Sequence, residues 1–181
     1  MALQLRRAGL DDLETLVAIQ RESAVAAFGH VFPPDRYPFP TDAIRDAWAE
    51  AVADPDVEAV LGEIDGEPVA LVSVGHSFLR TLYVVPRHWG EGIGSTLLGH
   101  GLVRLRARGC EVARLWTLSE NHRGRRFYER RGWELTGATR AVPFPPHPID
   151  VEYAIHLTQQ VSDTLEVSDT FRGSERPFRT G

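Results

Sequence analysis

The chain contains no lysine, and all 20 of its basic side chains are arginine. That excludes chemistry built on a lysine amine, the Schiff base and the phosphate-binding lysine of a P-loop alike. Cysteine occurs once, at Cys110, so no disulfide framework within the chain exists. There is no apolar run of the 18 or so residues a membrane span needs, and the first residues lack the basic and apolar regions of a secretion signal. A cytoplasmic protein with no membrane partner is expected. An excess of positive charge is missing too: 25 acidic residues outnumber the dispersed arginines, for a formal net charge of −5. Nucleic acid is therefore excluded as the main partner. The seven histidines show no metal-ligand spacing, and no metal is assigned.

What remains is a chain of 181 residues, 43% hydrophobic and 25% charged, enough for one domain with a real core. Residues 3–6 alternate as a short strand. Asp11 and Asp12 then open a helical spacing through Leu13, Leu16, Val17, Ala24 and Phe28. Residues 29–41 hold four prolines together with Phe32, Tyr37 and Phe39, which makes a stiff aromatic loop. Thr41 and Asp42 can cap a second helix through Ala53; residues 57–64 and 68–74 flank Asp65-Gly66 as a hairpin, and 78–85 form another strand. Residues 92–108 and 121–131 read as helices, with strands at 112–118, 133–139 and 151–157. The order βααβββαβαββ predicts an α+β fold with a mixed, mostly antiparallel central sheet flanked by helices. The apolar pattern ends near Leu157, so residues 1–157 are expected to be the domain. Residues 158–181, where Val-Ser-Asp-Thr occurs twice, are expected to be a polar C-terminal tail.

Three glycines, Gly90, Gly92 and Gly94, sit between a strand and a helix. The first helical turn leaves N–H groups without partners at the positive end of the helix dipole, and glycines let a phosphate approach them closely. Ser95 stands where a dinucleotide fingerprint needs glycine, and a P-loop needs a Gly-Lys pair, so both familiar nucleotide motifs fail.

The strand LYVVP, the turn WGEGIGSTLL and, further on, LWTLSEN and RRFYERRGW together resemble the GNAT superfamily of acetyl-CoA-dependent N-acetyltransferases. The resemblance covers about residues 1–157 in element order, with its motifs in 82–133. It implies that the turn of Trp89, Gly90, Glu91, Gly92, Ile93, Gly94 and Ser95 receives the pyrophosphate of acetyl-CoA. It further implies that the strand of Leu82, Tyr83 and Val84 pairs with the pantetheine arm, its N–H groups polarising the thioester carbonyl. Trp89 departs from the family pattern, which usually has glutamine or arginine there. Asn121 acquires a cofactor contact by the same resemblance, and Tyr128, seven residues on and on the same helix face, the role of general acid. A phenol of pKa ~10 can protonate a departing thiolate whose parent thiol titrates at ~8.5 without itself ionising at neutral pH.

The implied reaction moves an acetyl group from acetyl-CoA to a primary amine by direct attack through a tetrahedral intermediate. The acceptor is read as a small molecule, with a protein or peptide amine, or a non-catalytic acyl-CoA-binding module, as the alternatives; a homodimer stays open. His76, Glu120, Asp150 and Glu152 are the candidate bases. The resemblance puts the acceptor beside the loop joining the first two helices. There Phe32 and Tyr37 would meet its apolar part, His76 would lie nearby, and Asp35 or Asp150 would attract its charge.

Overall fold

The computed structural model describes residues 2–157; the polar tail and its repeated Val-Ser-Asp-Thr lie outside the described residues. The elements follow in the predicted order: β1 (Leu3–Arg7), α1 (Leu13–Phe28), α2 (Thr41–Ala53), β2 (Val57–Ile64), β3 (Glu67–Gly75) and β4 (Phe78–Val84). Then come α3 (Ile93–Ala107), β5 (Val112–Leu118), α4 (His122–Glu129), β6 (Glu134–Ala141) and β7 (Ile149–His156). Among the described residues no helix is long and apolar enough to cross a membrane.

The seven strands form one sheet in the order β1-β2-β3-β4-β5-β7-β6, antiparallel throughout except for β4 and β5, which run parallel. The β2–β3 hairpin closes on Asp65 and Gly66, whose positive φ angles of 52° and 82° are those a tight two-residue turn requires. β3 is buried from Val69 to Gly75 because helices cover both of its faces. Val72 and Val74 meet α3 at Gly101, while Ser73 faces a cavity lined by Gln20 of α1 and Trp48 of α2. The apolar core runs through Leu16, Leu61, Leu71, Leu97, Leu115 and Tyr153, all close to fully buried.

Two local expectations change in detail. A short 3₁₀ turn, Leu10–Asp12, precedes α1, because the Asp12 carboxylate folds back to accept from the Gly9 amide at 3.0 Å and from Arg6. Neither Thr41 nor Asp42 caps α2: the Thr41 hydroxyl donates to the Phe39 carbonyl at 3.4 Å, and Asp42 pairs with Arg45 at 2.8 Å.

Two of the three glycines of helix α3 stand in opposite settings. A Cβ at Gly101 would meet Val74 at 3.1 Å and Leu79 at 3.2 Å, whereas one at the exposed Gly99 would meet nothing within 4 Å. Gly101→Val is expected to destabilise the fold by about 1–3 kcal/mol through overpacking. Gly99→Ala should stabilise it by about 0.5–1 kcal/mol through helix propensity. Urea unfolding of the two variants checks both signs; equal effects would mean that α3 does not press on the sheet at Gly101.

Candidate active site

Strands β4 and β5 meet at one register pair, Phe78 with Arg114, where the Arg114 amide donates to the Ser77 carbonyl at 2.9 Å. Beyond it the ladder stops, and the far ends of the strands, at Val84 and Leu118, stand apart. Backbone groups in an antiparallel ladder alternate in direction. The Val85 amide donates to Val69 of β3 at 2.9 Å, so Tyr83 also turns its backbone to β3, and Leu82 and Val84 turn theirs to the gap. The Val84 carbonyl already accepts from the Ser23 hydroxyl at 3.0 Å and from Trp89 Nε1 at 2.6 Å, which engages both of its lone pairs. The Val84 amide and the Leu82 peptide groups are left facing the gap. Of the strand's predicted contacts, Tyr83 thus reaches the site by its side chain rather than its backbone.

At the mouth of the gap, Gly90 and Gly92 have φ of 89° and 84°, and Gly92 ends the turn as the residue capping α3 with no side-chain hydrogen bond. The Ser95 and Thr96 amides both bond the Gly92 carbonyl, at 2.9 and 3.1 Å. The amides of Ile93 and Gly94 come earlier in the first turn and have no intrahelical acceptor. A Cβ at position 90 or 92 would touch no protein atom within 4 Å, so the outer side of the turn is open, as an approaching anion requires. Trp89, Gly90, Gly92, Ile93, Gly94 and Ser95 all line a cleft of about 680 Å³, and Glu91 does not: its carboxylate turns back to His88 Nδ1 at 2.8 Å. Arginines rim the same cleft. Arg123 lies over the Trp89 ring at 4.1 Å, and Arg131 over Phe127 at 3.9 Å while it donates to the Ser95 hydroxyl at 2.6 Å.

Helix α4 carries Tyr128 into this cleft and is anchored at its start. The Asn121 side chain accepts from the Gly124 amide and donates to Thr117, both at 2.9 Å, which makes it a cap that ties α4 to β5. Arg125 donates to the Ser119 carbonyl at 2.9 Å and to the hydroxyl of the buried Tyr153 at 3.0 Å. Asn121 and Tyr128 both line the cleft, as their spacing predicts. The Tyr128 ring packs edge-on against Phe127 and Trp133, and burial, followed by the neighbouring Tyr83, pushes its phenol well above the ordinary tyrosine range.

A second cavity of about 500 Å³ adjoins the first, with Phe28 and Tyr83 lining both. Phe32 and Tyr37 lie in its wall, as does Asp150. Asp150 is buried and paired with Arg140 at 3.1 Å; burial raises its carboxyl above the usual carboxylate range, and Arg140 only partly offsets this. Burial, then the Asp150 charge, pushes the Tyr83 phenol up to about 12. His76 stands elsewhere. It occupies the β3–β4 turn, at the opposite end of β4 from Val84, bonded to Asp54 at 2.9 Å and lining a third cavity of about 460 Å³. Asp54, Asp56 and His76 hold their ligand atoms within 4.8 Å of one another, a juxtaposition that hairpin closure creates and sequence spacing does not reveal. Glu120 is exposed at the rim of the first cleft, and Glu152 is bonded to Arg114 at 3.1 Å and Thr136 at 2.8 Å, outside all three cavities.

Sequence reasoning passes over Arg80, Trp116 and Arg140, which line the second cavity from β4, β5 and β6. It passes over Ser23 as well, although a serine on the apolar face of α1, in step with Leu16 and Ile19, is a legible sign of a buried polar contact.

A family model described as the Acetyltransferase (GNAT) family matches residues 14–133. An uncharacterized N-acetyltransferase of Archaeoglobus fulgidus is 28% identical over 137 residues, which cover 70% of this chain and 89% of that one. The aminoalkylphosphonate N-acetyltransferase of Salmonella typhimurium is 31% identical over 102 residues, 51% of this chain and 66% of the other. Among solved structures, PaiA N-acetyltransferase from Thermoplasma acidophilum in complex with coenzyme A aligns with a TM-score of 0.63 at 18% identity, over 84% of this chain and 98% of that one. YncA of Salmonella typhimurium with acetyl-CoA aligns at 0.65 and 21%, over 87% and 95%. These two likenesses show the fold. With the family match spanning most of the chain, from α1 to the end of α4, this protein belongs to the GNAT family of acetyltransferases.

Proposed function

We propose that this acetyltransferase acetylates the primary amine of a small molecule held in the aromatic cavity, with acetyl-CoA, the donor of its family, in the neighbouring cleft. The observation that carries this reading is the junction of the two spaces at Tyr83, which faces Tyr128 on one side and Asp150 on the other. A volume of about 500 Å³ lies within the roughly 300–1,000 Å³ of small-molecule sites. The Salmonella relative, named for an aminoalkylphosphonate, supports an amine of this kind as acceptor.

The donor supplies a thioester, whose carbonyl carbon is the electrophile. The Ile93 and Gly94 amides suit its pyrophosphate, because they stand at the positive end of α3 beside an open turn. The Leu82 peptide groups and the Val84 amide suit the pantetheine arm and the thioester oxygen. Tyr128 donates the proton that the departing sulfur needs. Its raised pKa keeps the phenol protonated throughout the neutral range. Asp150 takes the proton of the attacking amine, and burial makes it a better base than a surface aspartate.

Acetyl-CoA at about 100 times its dissociation constant should stabilise the folded chain by about 2.7 kcal/mol, read as a rise in melting temperature. Gly92→Val, which forces a branched side chain into φ of 84°, should remove most of that rise. No shift in the unaltered protein would reject the cleft as the donor site.

Replacing either proton-transfer group is expected to lower kcat by roughly 10²–10⁴-fold with donor binding retained. Asp150→Asn should flatten the acidic limb of the pH–rate profile, whereas Tyr128→Phe should lower the whole profile without changing its shape, because the buried phenol stays protonated across it. Stability should respond with a definite sign at position 150. Its folded pKa is raised, so the favourable contribution exists below the unfolded value near ~3.9 and is lost as pH rises through the folded value. At neutral pH the ionised side chain therefore costs stability, and Asp150→Asn should melt no lower than the parent. A lower melting point together with full activity would make Asp150 a structural ion-pair partner.

A further inference from the structure

The second cavity has an unexpected charge balance for a site that takes an amine. Its charged lining among the described residues is Arg36, Arg80, Arg140 and one carboxylate, Asp150. A simple ammonium ion, and more so a diamine, would meet net repulsion there.

Two of these arginines are placed by specific structural devices. Register slips between β3 and β4 so that Ser73 faces Thr81 and Val74 faces Leu79, which leaves Arg80 as the extra residue of a β-bulge. Bulges re-aim a side chain, and this one directs Arg80 to the passage between the second and third cavities. Arg80 is exposed and has no side-chain hydrogen bond among the described residues; its charge is felt by Asp54, beside the third cavity, whose carboxyl it helps to hold low after the hydrogen bonds from His76 and the Asp56 amide. Arg140 lines the same passage with its guanidinium over the Trp116 ring at 4.5 Å. Its one hydrogen bond among the described residues runs from Nε to Asp150 at 3.1 Å, so both terminal nitrogens remain for a ligand in a fixed plane.

We propose that the acceptor is a zwitterion. It carries its amine and an oxyanion, carboxylate or phosphonate, on the same or neighbouring carbons, together with an apolar or aromatic body. The adjacency of Asp150 and Arg140 sets the short separation, because the two ends of the ligand must find opposite charges that already touch each other. The ammonium goes to Asp150, the oxyanion to Arg80 and Arg140, and the apolar body to Phe28, Phe32 and Tyr37. In the reaction the ammonium first gives one proton to Asp150, and the free amine adds to the thioester carbon, forming the C–N bond in a tetrahedral intermediate. Its collapse breaks the C–S bond; the sulfur takes a proton from Tyr128, the second proton leaving the nitrogen restores the Tyr128 phenol through solvent, and Asp150 releases its proton to water. This inference rests on the reading of the aromatic cavity as the acceptor site.

Steady-state acetylation of matched substrates tests it: phenylalanine, its phosphonate analogue, phenethylamine and a linear diamine. At least one oxyanion-bearing substrate should exceed phenethylamine in kcat/KM by about tenfold or more, the worth of a charge-assisted contact, with the diamine poorest. The ratio between the first two substrates separates carboxylate from phosphonate. Arg80→Gln should bring the preference over phenethylamine toward unity, mainly through KM, and Arg80→Lys should restore part of it. The acetyl-CoA melting shift shows that both variants fold. Equal or better turnover of phenethylamine or the diamine overturns the zwitterion and leaves small-molecule acetylation standing. A preference untouched by Arg80→Gln overturns the oxyanion site at the bulge. Acetyl-CoA binding without turnover or binding of any small amine overturns the acceptor-site reading, and this inference with it.

Discussion

The parting of β4 from β5 is the constraint on which the rest depends. Two parallel strands at the centre of a sheet would ordinarily pair along their length, and here they are joined only at Phe78 and Arg114. Unpaired buried backbone groups cost roughly 1–3 kcal/mol each, so the separation must be imposed by packing. Ser23 from α1 and Trp89 from the glycine turn both donate to the Val84 carbonyl, holding the end of β4 away from β5. On the opposite side Asn121, Arg125 and Tyr153 pin α4 to β5 and β7, and so bring Tyr128 to the gap. Ligand binding at such a site can return hydrogen bonds that the fold withholds.

Enclosure of the gap sets its chemistry. The same removal from water raises Tyr128, Tyr83 and Asp150, but with different consequences. For the phenols it secures the protonated form, which a proton donor needs; for the carboxyl it increases proton affinity, which a proton acceptor needs. Tyr83 lies between them, its own phenol raised in part by the Asp150 charge. Tyr128 and Asp150, the proposed proton donor and acceptor, are therefore separated by an aromatic ring rather than facing one another directly.

Much of this was legible in the sequence, because the information was local. Element order, the Asp65-Gly66 turn, the strand–glycine–helix grammar and the seven-residue spacing of Asn121 and Tyr128 all reside in short segments. The aromatic loop was legible as a loop from its prolines, and Phe32 and Tyr37 do line a cavity. What escaped depends on register. Nothing in the residues around Arg80 marks a bulge, which arises only when β3 is set beside β4. His76 is expected beside the acceptor, but the β3–β4 turn puts it at the end of β4 opposite Val84. In the sequence Trp89 is marked only as a departure from the family pattern. Its indole instead spans back to the strand and supports Arg123, contacts between segments that no spacing rule supplies.

A crystal structure with acetyl-CoA bound is the most direct measurement of whether the gap is the reaction centre. The pyrophosphate oxygens should lie ~2.7–3.2 Å from the Ile93 and Gly94 amides, with the thioester between Val84 and Tyr128 and its acetyl group directed past Tyr83 toward Asp150. A donor whose thioester lies outside the gap, or whose acetyl group points away from the aromatic cavity, would contradict it.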